Sequence, residues 1–261
     1  MFVMWWLTLT SEFSLKSNQT ISIFPIGDVH VGTPFFNKEF FEWMLHKFDT
    51  TKGIKIIYLL GDLLDCATKR LGQSAYQQIL SPEEQLDYMV KSLAPYKKYV
   101  RGCVIGNHEA RFRKEFDLDI MRILADSLDI GYDTEIYDKL IVNGDEYLIW
   151  ANHGTKTSQQ QHLMQGAVMR QTQHIDANLY LYGHAHYLSN WSQVVKSGDN
   201  YKRRHYVLTG HFLKYDGSYA QEKLLKPSLE GFSKITIDKN LRTNVDLYNI
   251  DEQPHWSIYG K

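Results

Sequence analysis

The chain reads as a mixed α/β sandwich. Three observations predict this: segments of alternating apolar and polar residues at both ends, strand and helix patterns alternating between them, and clusters of Gly, Asp, Asn and His directly after five strand candidates. Loops at strand carboxyl ends are where open α/β sheets place their sites.

In chain order, the first strand candidates are Val3 to Thr10 and Glu12 to Lys16, followed by Thr20 to Pro25 with its clear alternation. Helix Lys38 to Asp49 leads to strand Ile54 to Leu60. The next helix, Pro82 to Ala94, has the clearest boundary chemistry: Ser81 caps, Pro82 fits the first turn, Glu84 completes a Ser-x-x-Glu capping box and Pro95 stops the helix. Strand Arg101 to Ile105, helix Leu118 to Ser127, strand Glu146 to Trp150, helix Gln159 to Thr172 and strand Asn178 to Tyr182 continue the alternation. Beyond residue 188 only strands are expected: Trp191 to Lys196, Arg204 to Leu208, and a hairpin of Ser233 to Asp238 with Arg242 to Tyr248 around Asn240.

With 261 residues, 43% hydrophobic and 23% charged, the chain can bury a substantial core, and disordered, collagen-like and disulfide-scaffold classes are excluded. No repeat or low-complexity linker divides it, so one domain over residues 1–261 is expected. Lys plus Arg number 29 against 30 Asp plus Glu, so no whole-protein field steers the chain onto nucleic acid or an acidic membrane. The apolar opening, Met1 to Leu9, falls short of the roughly 18 residues of a membrane span, and it lacks the flanks of an export signal. With Cys66 and Cys103 read as reduced, buried thiols, a cytoplasmic protein without membrane partners is expected.

The five strand-end clusters are GDVH (Gly27 to His30), GDLLD (Gly61 to Asp65), GNHE (Gly106 to Glu109), NHG (Asn152 to Gly154) and GHAH (Gly183 to His186), and they hold five of the eleven histidines. Asp28 and His30 are two apart, so if strand geometry persists their side chains leave one face and converge on a cation. His184 and His186 repeat the spacing. Each cluster alone is compatible with loop carboxylates, turn residues or packed histidines. Together, imidazole, carboxylate and amide oxygen without a thiolate pair suit Mn²⁺, Fe or Zn²⁺ better than a structural Cys-rich zinc site.

The ordered set GDVH, GDLLD, GNHE, His153 and GHAH, spread over about sixty per cent of the chain, resembles the calcineurin-like metallophosphoesterases. The resemblance implies a four-layer α/β/β/α sandwich of two mixed sheets flanked by helices, with a core at about 20–190 and the strands at about 190–250 completing the second sheet. It implies two divalent metal ions, manganese first with iron or zinc as alternatives. Asp28, His30 and His186 would hold one, Asn107, His153 and His184 the other, and Asp62 would bridge them. His108 would stand near the scissile phosphate to stabilise or protonate the leaving oxygen, with Asp65 orienting its imidazole, which beside such a carboxylate can be cationic near neutral pH. Two such ions acidify a bridging water, so a metal-bridging hydroxide attacks in line and no protein nucleophile is required.

Family membership leaves the ester class open. Phosphoprotein phosphatases continue the second motif as Asp-Arg-Gly and carry Arg before Gly-Asn-His-Glu, whereas here Cys66 and Ala67 follow Asp65 and Ile105 precedes Gly106. The two histidines of GHAH resemble phosphodiesterases and repair nucleases, which favours a phosphodiester substrate, nuclease or nucleotide phosphodiesterase included. The alternatives are a phosphomonoesterase acting on a metabolite or phosphoprotein, and a metal-stabilised binding module without catalysis. Arg111 and Arg113, with Lys114, would either grip substrate phosphate or form a solvated basic loop. Lys202, Arg203 and Arg204 near Tyr201 and Tyr206 would track a nucleic-acid backbone or form an exposed hairpin. His211, in a third Gly-His pair, would either line the site from the C-terminal strands or, the favoured reading, be a packed histidine. Nucleic acid as a partner and a homodimer both stay open.

Overall fold

The computed structural model describes residues 7–68, 77–155, 158, 160–228 and 230–253. Two six-stranded mixed sheets face each other, flanked by helices. In chain order the strands are β1 (Leu7–Phe13), β2 (Thr20–Ile26), β3 (Ile54–Leu59), β4 (Val100–Val104), β5 (Tyr132–Asp133), β6 (Glu135–Val142), β7 (Asp145–Asn152), β8 (Leu179–Tyr182), β9 (Leu188–Ser197), β10 (Asn200–Thr209), β11 (Gly231–Asp238) and β12 (Thr243–Asn249). The first sheet runs β1-β6-β7-β8-β10-β9 and the second β12-β11-β2-β3-β4-β5. The helices are α1 (Lys38–Thr50), α2 (Pro82–Leu93), α3 (Asn107–Phe116), α4 (Ile120–Leu128), α5 (Gln161–Gln171) and α6 (Tyr219–Glu222).

Three apolar clusters mark the boundaries between four layers. Between the sheets, Ile21, Ile23, Ile56, Leu140, Ile149 and Leu181 interdigitate. On the outer face of the second sheet, Phe24, Ile26 and Leu59 meet Phe40, Phe41 and Phe48 of α1, Met89 of α2, Phe112 of α3 and Leu124 of α4. On the outer face of the first, Trp150, Tyr180 and Tyr206 cover Met164 and Val168 of α5. The alternation along β2 explains its double role, since Ile21 and Ile23 point to one cluster and Phe24 and Ile26 to the other.

Most expected elements form close to their predicted limits. The Ser81 capping box does form: Ser81 Oγ accepts from the Glu84 N–H at 3.3 Å and Glu84 Oε2 accepts from the Ser81 N–H at 2.7 Å. Asp119 caps α4, accepting from the Arg122 N–H at 3.1 Å. Four expectations change. The two opening strands are one, β1, which pairs parallel with β6; Val3 to Trp6 of the first prediction, like Gln159 of the last helix, lie outside the described residues. β6 was not foreseen. The strands beyond residue 187 divide between both sheets, β9 and β10 joining the first while β11 and β12 extend the second. The stretch after GNHE is a helix, α3, and not a loop. No helix among the described residues is long and apolar enough to cross a membrane.

One buried polar cluster ties the sheets together. Asp138 of β6 accepts from Tyr58 of β3 at 2.7 Å and from Arg101 of β4 at 2.8 and 3.0 Å, a two-pronged guanidinium contact across the sandwich. Burial and the Asp138 charge hold the Tyr58 hydroxyl well above its usual range, so it serves as a neutral donor.

Candidate metal centre

The loops after β2, β3 and β4 come from the second sheet, and those after β7, β8 and β10 from the first, so the site straddles the interface between sheets. The β2 and β3 loops run side by side beyond their strands: Asp28 N–H donates to Gly61 O at 3.1 Å, His30 N–H to Asp62 O at 3.0 Å and Val31 N–H to Leu63 O at 3.0 Å. Strand geometry does not persist there, as the sequence reading supposed. Asp28, His30, Asp62, His184 and His186 all have φ between 48° and 62°. Each such residue costs roughly 1–2 kcal/mol relative to ordinary backbone, and sparsely populated backbone of this kind collects at functional sites. Alternating left-handed residues, not an extended strand, aim Asp28 and His30 at one point.

That point is shared with His186. His30 Nε2 and His186 Nε2 stand 3.2 Å apart, and Asp28 Oδ1 lies 3.2 Å from His186 Nε2 and 4.0 Å from His30 Nε2. Asp28 Oδ2 accepts the His184 N–H at 2.8 Å, while Oδ1, fully buried, has no hydrogen-bond partner. A second group forms around His153, whose Nδ1 donates to Leu60 O at 2.7 Å, turning Nε2 toward Asn107 Oδ1 at 3.0 Å and Asp62 Oδ2 at 3.3 Å. His184 completes that group. Asp62 Oδ2 is also 3.8 Å from His30 Nε2, so this one oxygen faces both groups. The other oxygen, Oδ1, accepts the His108 N–H at the start of α3 at 2.8 Å, which satisfies an orphan helix donor and fixes the carboxylate.

The electrostatics fit cations. Burial opposes charge on His30, yet its hydrogen bond to Asp65 and the fields of Asp62, Asp65 and Asp28 overcome this and raise the imidazole to about 9. Burial likewise opposes charge on His153, but Asp62, Asp28 and the Leu60 carbonyl raise it to about 9. Asp62 is held well below its usual range, its burial outweighed by His153, His108 and His30. Carboxylates that draw protons onto facing imidazoles form a field that divalent ions would satisfy instead. An unpartnered buried carboxylate oxygen, facing imidazole nitrogens and one shared oxygen thus fit two hard or borderline cations.

A family model described as calcineurin-like phosphoesterase matches residues 21–215. The chain belongs to that family. Solved structures with a similar chain path include vacuolar protein sorting 29 from Cryptosporidium parvum, at 15% identity, TM-score 0.44, covering 89% of this chain and 98% of that one. A Vps29 complexed with zinc from Entamoeba histolytica aligns at 13% identity, TM-score 0.42, over 87% and 98%, and an uncharacterized, predicted phosphoesterase from Streptococcus pneumoniae at 13% identity, TM-score 0.37, over 88% and 98%. No curated protein matches the chain.

All seven residues expected as ligands converge in this candidate site, and His108 stands beside them. Asp65 does stand against His108, but its main chain makes the shorter contact. His108 Nδ1 is held by the Asp65 backbone carbonyl at 2.7 Å, while the Asp65 carboxylate is closer to His30 Nδ1, 3.1 Å, than to His108 Nδ1, 3.3 Å. Nor is His108 cationic without metal: burial and the charge on His30 push it down to about 4. Arg113 is engaged elsewhere, pairing with Asp119 at 3.0 Å. Arg111 lies one turn beyond Asn107, donating to its carbonyl at 3.2 Å, and shares a helix face with Asn107 and His108.

Lys202 and Arg204 pair with Asp176, at 2.7 and 3.6 Å, and Arg203 donates to Ser192 Oγ at 3.1 Å. They stand at the start of β10, which runs parallel to β8, and so at the end of the sheet remote from the metal loops. That basic run is therefore no continuation of the site. His211 is buried as expected, but its ring stacks on His186 with centroids 5.2 Å apart, which makes it a wall of the site.

Sequence reasoning missed Glu109 as an organising residue. Fully buried, its carboxylate accepts from the N–H groups of Asp62 at 3.0 Å, Leu64 at 3.0 Å and Gly106 at 3.1 Å, tying the β3 loop to the start of α3. The available signal was its place as third residue of a helix opening at Gly106. Gly106 itself is required, because a Cβ there would overlap Asp62.

Proposed function

We propose that this phosphoesterase hydrolyses phosphodiesters with two divalent metal ions. The observation that carries the reading is the buried Asp28 Oδ1, which accepts no hydrogen bond and faces His186 Nε2 at 3.2 Å and His30 Nε2 at 4.0 Å, with Asp62 Oδ2 directed at both this group and the His153 group. Asp28, His30 and His186 would hold one ion, Asn107, His153 and His184 the other, with Asp62 against both. Bound there, the ions supply Lewis acidity: they lower the pKa of water at the site and neutralise phosphate oxygens.

The chain's own residues do the rest. Leu60 O and Asp65 Oδ1 each accept a hydrogen bond from Nδ1–H, of His153 and His30 respectively, which leaves both Nε2 atoms to offer lone pairs once the rings are neutral. The helix start at α3 immobilises Asp62 through Oδ1. His108, with its side chain 20% exposed, has Nδ1 occupied by Asp65 O and Nε2 3.9 Å from Asp62 Oδ2, which leaves Nε2 beside the candidate metal groups for an arriving substrate. An anionic phosphate beside Nε2 favours the protonated ring, which then hands its proton to the leaving alkoxide oxygen. Arg111 stands on the same helix face to pair with a phosphate oxygen.

A diester suits this electrostatic environment. Its phosphate carries one negative charge, where a monoester carries about two at neutral pH, and with Arg113 committed to Asp119 the α3 face offers Arg111 for one charge-assisted contact. The test is turnover of bis(p-nitrophenyl) phosphate and of p-nitrophenyl phosphate by chelator-stripped protein, before and after Mn²⁺ is restored. Diester turnover that returns with metal supports the reading. Preference for the monoester replaces it with a phosphatase, and metal uptake without turnover of either replaces it with a binding module.

A further inference from the structure

Gln85 stands in the first turn of α2, one residue past the capping-box Glu84, with no exposed surface. A buried amide is costly unless its groups are paired, and these are. Its Oε1 accepts from Cys66 N–H at 3.0 Å; its Nε2 donates to Leu80 O at 2.9 Å and to Gln78 Oε1 at 2.9 Å. Gln78 Nε2 in turn donates to Asp65 Oδ2 at 2.6 Å, and Asp65 Oδ1 accepts from His30 Nδ1 at 3.1 Å. Room for the Gln85 amide exists because residue 32 is glycine: a Cβ there would overlap it. Gly32 O also accepts the Ile79 N–H at 2.9 Å, fastening the segment that carries Gln78 to the β2 loop.

The chain of contacts has a direction. The N–H of Cys66 can only donate and the carbonyl of Leu80 can only accept, so the Gln85 amide has one orientation. That orientation obliges Gln78 to offer its oxygen to Gln85 and its NH₂ to Asp65. We propose that Gln85 and Gln78 are positioning residues, a one-way hydrogen-bond relay that holds the Asp65 carboxylate as acceptor for His30 Nδ1 and so keeps His30 Nε2 directed as a lone pair at a cation. The inference rests on the metal-centre reading above. It assigns a task to two glutamines that belong to none of the strand-end motifs.

Partners of this kind, one step behind a ligating histidine, change metal affinity by roughly 10–100-fold when removed. The test is calorimetric titration of Mn²⁺ alone into chelator-stripped wild type, Gln78→Met and Gln85→Met, with His186→Ala identifying the site that contains His30. Thermal unfolding of the metal-free variants checks that each folds, and half-buried Gln78 keeps the test decisive should Gln85→Met not fold. Two Mn²⁺ sites are expected in the wild type. In both glutamine variants the site lost in His186→Ala weakens roughly 10–100-fold while the other is unchanged, a selectivity that general loosening would not produce. Unchanged affinities, or equal weakening at both sites, overturn the relay alone. A wild type that takes up no Mn²⁺ overturns the metal-centre reading and the relay with it.

Discussion

Replacing Asp138 by Asn tests the clamp that holds the two halves of the site in register. The carboxylate is fully buried and accepts three hydrogen bonds, one from Tyr58 and two from Arg101, whose side chain is 24% exposed. An asparagine can keep its oxygen where Oδ2 sits, accepting from Tyr58 and Arg101 Nε, but its NH₂ then faces a guanidinium N–H where Oδ1 had accepted. The change loses one charge-assisted bond, about 1.5–3 kcal/mol, and leaves a donor facing a donor. Breaking a fully buried pair costs about 3–5 kcal/mol; water reaching the partly exposed guanidinium brings the expected loss to about 3 kcal/mol. That is a large share of the roughly 5–15 kcal/mol that stabilises a typical domain. Urea unfolding of metal-free protein at fixed pH would show a lower midpoint with unchanged slope. A variant within about 0.5 kcal/mol of wild type, the spread of ordinary surface substitutions, would refute the clamp.

Because the proposed ligands come from both sheets, Mn²⁺ should cross-link the sandwich: at a hundred times its dissociation constant it adds about 2.7 kcal/mol, so melting should move upward with Mn²⁺ and back with chelator, and coincident melting curves would contradict the site. His30 and His153 lie near 9 without metal and must be neutral to ligate, so binding at pH 7.5 should release on the order of two protons and tighten as pH rises toward 9; calorimetry in buffers of different ionisation enthalpy that finds no release would count against ligation by these imidazoles. His108→Asn should keep both Mn²⁺ sites while slowing diester hydrolysis by roughly 10²–10⁴, and full activity would remove its assigned role. Arg111→Ala should raise KM, whereas Arg113→Ala, which frees Asp119, should change stability and leave KM alone; the reverse pattern would show that Arg113 leaves Asp119 to meet substrate.

The residues of the candidate site were legible in the sequence because each sits at a strand end in a short, polar, glycine-marked cluster. What escaped has physical causes. β6 reads poorly because the buried carboxylate Asp138 occupies an inward position while Tyr137 and Ile141 face outward, which scrambles the period-2 signal. α3 looks like a loop because its inward face is Glu109 and Phe112, a single apolar residue among polar ones. Gln85 belongs to no sequence motif, and only the structure shows its amide paired to the Asp65 loop. The convergence of Asp28 and His30 was anticipated for the wrong reason, since left-handed backbone and not strand alternation produces it. Orientation of His108 by Asp65 was expected from the family resemblance, but that the main-chain carbonyl makes the shortest contact leaves no trace in residue identity.

The most direct measurement is an anomalous difference map from crystals of this protein soaked in Mn²⁺. Two peaks are predicted, one among Asp28, His30 and His186 and one among Asn107, His153 and His184, both against Asp62. No peak there, or metal bound only outside these residues, would contradict the dinuclear centre.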